Sequence, residues 1–161
     1  MISKAFAAVL AVLTVACAQP APEPAAAPVA PIVAEAYERL EVVTDAGVRA
    51  FRVRIADDDA ERERGLMFVS NMPEDEGMLF DFKEAAPRAF WMKNKLIPLD
   101  IIFIGTDGRI INIAENTTPY SLEPVPSAGP ALGVLEIGGG LSAELGIAPG
   151  DRVVLRIFPG E

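Results

Sequence analysis

The sequence contains no histidine. That absence excludes Ser-His and Cys-His nucleophile pairs, imidazole general bases and most zinc and iron sites. Cysteine occurs once, at Cys17, so no internal disulfide can form and no thiol chemistry is available further along the chain. Basic residues are also scarce, 14 against 23 acidic, giving a net charge of −9. Removing Lys4, the only charge in residues 1–16, moves the net charge from −9 to −10 for the remainder. Such a balance favours solubility and lacks the cationic footprint that phosphate backbones require, so a nucleic-acid partner is not expected. Any catalysis would have to rest on carboxylates, Lys, Arg, Tyr, hydroxyls or a hard metal held by oxygen. No metal site and no cofactor is expected; Asp57-Asp58-Asp59 lacks the ligand spacing of a calcium loop.

What is present begins with an address. Lys4 followed by the uncharged run Ala5–Leu13 reads as a signal peptide over residues 1–16, too short to span a bilayer as a stop-transfer helix. Leu13-Thr14-Val15-Ala16-Cys17 resembles a bacterial lipobox, which implies diacylglycerol on Cys17 and a protein tethered to the outer membrane, facing the periplasm. The alternative is ordinary cleavage, giving a soluble periplasmic or secreted protein. Residues 17–35 hold this cysteine and a tether in which Pro20, Pro22, Pro24, Pro28 and Pro31 disfavour helix and sheet. In an extended polyproline conformation the tether reaches roughly 50 Å.

Residues 36–161 are expected to form a single β-rich domain. Alternation or short apolar runs predict strands at Leu40–Thr44, Val48–Ile55, Gly77–Phe82, Arg88–Met92, Leu99–Ile104, Arg109–Ala114, Ala131–Ile137 and Arg152–Phe158. Short helices are predicted after Asp57-Asp58-Asp59, ending near Gly65, and at Leu141–Leu145. About eight short strands with two short helices predict a mostly β fold, a compact antiparallel barrel or sandwich.

The informative polar residues interrupt apolar rows. Strand alternation places Asp100 beside Ile102 and Ile104, within a segment apolar on both faces, so its carboxylate is expected to be buried and paired, hydrogen-bonded or protonated. Glu115 and Glu136 end similar rows, with Arg64 and Lys93 as candidate partners. One reading is a pocket at one end of the barrel lined by Arg64, Met67, Trp91, Lys93, Asn94, Asp100, Glu115 and Glu136, with Trp91 and Met67, Met78 and Met92 as an adaptable apolar wall. The other is a set of strand-end charges, one structural ion pair and a core of methionines.

Taken together, Arg64-Gly65-Leu66-Met67, Gly77-Met78-Leu79-Phe80, Phe90-Trp91-Met92-Lys93-Asn94 and Ile97-Pro98-Leu99-Asp100-Ile101 resemble the bacterial and archaeal family called domain of unknown function 192. The resemblance covers roughly residues 38–158 and implies an exported protein with a compact β-rich fold. Lys95 stands where relatives often carry threonine, and Tyr120 and Val125 where others carry cysteines. The sequence favours a non-catalytic envelope module that binds a small ligand, a glycan or an envelope protein. The alternative is a carboxylate-based glycan hydrolase or lyase drawing on Asp100, Glu115 and Glu136.

Overall fold

The computed structural model of the chain describes residues 36–158; the expected signal peptide, Cys17 and the expected tether lie outside them. The first strands form as their alternation requires. Strand β1 (Glu38–Thr44) turns through Asp45-Ala46 into β2 (Gly47–Ala56). The Thr44 hydroxyl closes this turn by donating to the Gly47 carbonyl at 2.8 Å. Helix α1 (Asp59–Arg64) follows, with the Asp58 carboxylate accepting from the Glu61 N–H at 2.8 Å as its N-cap. It stops at Gly65, whose φ of +47° is costly for residues with a Cβ and whose missing side chain lets the Phe80 ring approach.

Strand β3 (Glu76–Ala86) then pairs parallel to β2, a departure from the all-antiparallel expectation that follows from crossing over through α1 and its loop. The expected strand at Arg88–Met92 shrinks to β4 (Ala89–Phe90), paired with β7 (Val125–Pro126) in a small ribbon of its own. Strand β5 (Leu99–Ile104), β6 (Ile110–Thr117) and β8 (Ala131–Gly138) complete the body of the main sheet. Helix α2 (Leu141–Leu145) and the short β9 (Arg152–Val154) follow. The rest of the segment expected to extend β9 instead turns, closed by a bond from the Phe158 N–H to the Leu155 carbonyl at 3.0 Å.

In space the main sheet runs β6-β5-β8-β3-β2-β1-β9. It curls until its two edges meet. Arg109 bridges to Arg152, and the Val153 N–H reaches the Gly108 carbonyl at 2.8 Å. The fold is thus the mostly β, barrel-like architecture with two short helices that the sequence predicts, with β7 as an additional short strand among the described residues.

Two apolar cores result. The inner one gathers Leu40, Val42, Phe51, Leu79, Ile102, Ile104, Leu135 and Ile137 inside the curl. The outer one lies on the opposite face, where Met78, Phe80, Leu99, Ile101, Phe103 and Val134 are covered by Leu66, Met92 and the ribbon. Strand β5 serves both, which is why it is buried at every position.

A cleft above a buried lysine and glutamate

Asp100 faces the inner core side of β5, fully buried, and both its oxygens are occupied. Oδ1 accepts from the Asn116 N–H at 2.6 Å and the Gly140 N–H at 2.8 Å; Oδ2 accepts from the Ser142 N–H at 2.8 Å and the Ser142 hydroxyl at 2.5 Å. Helix α2 begins at Gly140, which has no side chain to cap it. The Asp100 carboxylate supplies that cap from across the sheet. The Asn116 N–H is available because the β5–β6 ladder shifts register between Leu99 and Ile101, with Asn116 at φ +48°. Glu115, at the same irregularity, is exposed.

Glu136 lies on the other face of the sheet. Its neighbours across the ladders are Met78 and Ile101, both in the outer core. Its partner is neither Arg64 nor Lys93, as expected from the sequence, but Lys95, whose ammonium donates to Oε1. Lys95 is 4% exposed and Glu136 0%. After β4 the chain does not continue as a strand: it turns, with Asn94 at φ +57° and the Lys95 N–H bonded to the Met92 carbonyl at 3.1 Å. The turn leaves Lys93 outside, 5.0 Å from the centre of the Trp91 ring, and takes Lys95 inside. There Nζ lies 5.7 Å from the Phe90 ring centre and 5.9 Å from that of Phe80. Among the described residues Glu136 Oε2 is buried with no hydrogen-bond partner. Burial pushes the Glu136 carboxyl up from its ordinary value, while the charge and hydrogen bond of Lys95 act against the rise.

Lys95 forms part of the wall of a cleft of about 160 Å3, together with Arg64, Gly65, Met67, Phe90 and Trp91. A second hollow, about 430 Å3, lies on the far side of Arg64-Gly65-Met67 and extends to Arg54, Met78 and Arg156. Among the described residues the Arg64 side chain makes no ion pair. The Asn94 amide lies 3.8 Å from the Met67 sulfur. The sequence-predicted residues therefore divide. Arg64, Met67 and Trp91 meet at the cleft, with Asn94 braced behind Met67. Glu136 lies under its lysine, Lys93 stacks outside, and Asp100 and Glu115 belong elsewhere. Met92 is core rather than wall. Sequence reasoning missed Lys95, although a buried glutamate calls for a cation and Lys95 is followed directly by the apolar Leu96-Ile97.

The same stretches decide the kinship. A family model for DUF192, described as uncharacterized ACR, matches residues 41–155. The chain belongs to this family. Its DUF192 domain is similar to a crystal structure of a protein of unknown function from Novosphingobium aromaticivorans, with 47% identity and a TM-score of 0.75 over 81% of this chain and 94% of that one. It is similar also to a Sinorhizobium meliloti protein suggested to be a transcription regulator, with 43% identity and a TM-score of 0.73 over 76% and 95%. No match is found among curated proteins. Both structural relatives align along nearly their whole length, so the DUF192 domain is the shared unit.

Proposed function

We propose that this DUF192 protein is a non-catalytic binding module of the cell envelope, exported by its N-terminal signal and held to the outer membrane through lipid on Cys17. Its ligand is a small hydroxylated molecule, a single sugar unit of a glycan, seated in the cleft beside α1. One observation carries the reading: Lys95 is almost fully buried yet lines the cleft, and the one hydrogen bond its ammonium makes among the described residues, to Glu136, leaves donors of a three-donor ammonium unspent. A ligand hydroxyl can accept from them while its ring lies against Phe90 and Trp91. The volume supports a ligand of one ring, below the ~300–1,000 Å3 of drug-sized sites.

The geometry gives little support to carboxylate catalysis. Asp100 has spent its oxygens on Asn116 and the start of α2, Glu136 lies on the opposite face behind Lys95, and Glu115 stands at the exposed register shift. Two-carboxylate hydrolysis needs both groups beside one bond. Gene regulation, suggested for one relative, finds no support in a chain of net charge −9.

Trp91 is the only tryptophan and lines the cleft, so intrinsic fluorescence reports the site directly. Titration of the mature protein with a panel of neutral mono- and disaccharides is expected to give a saturable change with at least one, abolished in Lys95→Met. A panel without any saturable response overturns the ligand reading. Intact mass of the mature N-terminus checks the anchor, and a free Ala18 or Gln19 terminus overturns it.

A further inference from the structure

The Lys95 ammonium rests in surroundings that would suit any small ammonium ion. Glu136 Oε1 accepts a hydrogen bond from it, and the rings of Phe80 and Phe90 lie 5.9 and 5.7 Å from Nζ. Those distances fall within the range at which aromatic rings attract a cation. The two rings are locked edge to face, with centroids 4.9 Å apart, so they cannot collapse toward each other without losing that packing. Glu136 Oε2 lacks any donor. A lysine reaching in from one side satisfies one carboxylate oxygen; an untethered ammonium could sit between both. The cleft already leads from solvent to Lys95.

We propose that Phe80, Phe90 and Glu136 form an ammonium-binding cage that Lys95 fills from within the chain, making residue 95 the determinant of which ligands the cleft admits. With lysine present the floor is charge-balanced and closed to amines. With the side chain shortened, the same floor becomes an aromatic-walled site whose carboxyl releases its proton to solvent as it takes up a small primary alkylammonium ion. The claim stands on the cage alone, whether or not the cleft takes a sugar.

The test is chemical rescue. Lys95→Ala removes three methylenes and the ammonium, which n-propylammonium replaces atom for atom. Thermal melting and amide NMR of the full mature chain are followed with n-propylammonium chloride, with 1-propanol as the neutral match and with sodium chloride as the ionic control. Lys95→Ala is expected to gain stability saturably with propylammonium, with shifts centred on Phe80, Phe90 and Met78. The wild type is expected not to respond. Lys95→Ala/Glu136→Gln should bind at least roughly tenfold more weakly, having lost the charge-assisted bond. If Lys95→Ala folds only with propylammonium present, the same conclusion follows. Equal rescue by propanol would mean simple filling of a void and would overturn the cage, as would undiminished binding by the double variant. A Lys95→Ala chain that propylammonium neither stabilises nor refolds also overturns it.

Discussion

The buried Lys95–Glu136 pair and the Asp100 carboxylate show two ways in which one residue can tolerate burial. Asp100 replaces water with four protein donors. Glu136 has one donor and leaves an oxygen unsatisfied. The first arrangement is a structural device, and the second is sensitive to the loss of its partner. Lys95→Met leaves an uncompensated buried carboxylate and should cost about 3–5 kcal/mol of stability. Lys95→Met/Glu136→Met removes both charges and should recover most of that loss, because apolar residues of similar volume commonly replace buried pairs at little cost. Urea denaturation of the two single variants and the double checks this as a cycle. A double variant no more stable than Lys95→Met would show that the pair is worth more than its apolar substitute. Burial of Asp100 was legible in the sequence because its neighbours alternate so regularly. The identity of the Glu136 partner was not, since it depends on a left-handed turn at Asn94 that takes Lys95, rather than Lys93, inside.

The elements read most clearly were those with a local cause. The Asp58 cap, the stop at Gly65, the β1–β2 turn and the six-residue β5 all follow from residues within a few positions of one another. Those read poorly depend on distant partners. Strand β4 is short because the chain leaves the ribbon after Phe90, where the Met92 N–H bonds to the Ser121 carbonyl at 2.9 Å, and β7 exists only as its partner. The parallel β2–β3 pairing is likewise set by the crossover rather than by either strand. Helix α2 belongs to both classes. Its Gly140 start and Gly146 stop are visible in sequence, but its cap arrives from β5, about forty residues earlier in the chain. The amides of Gly140 and Ser142, although at a helix N-terminus, should therefore exchange slowly with solvent. Asp100→Asn puts an amide where only acceptors fit. It should accelerate exchange at both positions, and at Asn116, while leaving β1 and β2 unchanged. Unaltered protection of Gly140 and Ser142 in that variant would contradict the capping role.

At the scale of the whole molecule, stability should vary with pH through two carboxylates that act in opposite directions. Burial tends to raise Asp81, but hydrogen bonds and charge from Lys83 outweigh it and hold the carboxyl below its ordinary value of 3.8. Asp81 therefore contributes stability at neutral pH that is lost as pH falls through its folded value. Glu136 is raised above its ordinary 4.5 mainly by burial. Its ionisation is harder in the folded than in the unfolded chain, so its contribution is fullest below 4.5 and declines as pH rises through the folded value. Together these place the stability maximum on the acid side of neutral, where the net negative charge also repels itself less. The charge background is nearly the same in Lys95→Met/Glu136→Met, which loses one charge of each sign, so the difference between that variant and the wild type isolates the pair. As pH falls from the alkaline side into the ordinary carboxylate range, urea midpoints of the wild type should gain on those of the double variant as Glu136 takes up its proton. Below that range the two profiles should fall in parallel, because Asp81 is common to both. A constant difference across the whole range would mean that Glu136 ionises in the fold as it does in water, and that the lysine above it offsets its burial in full.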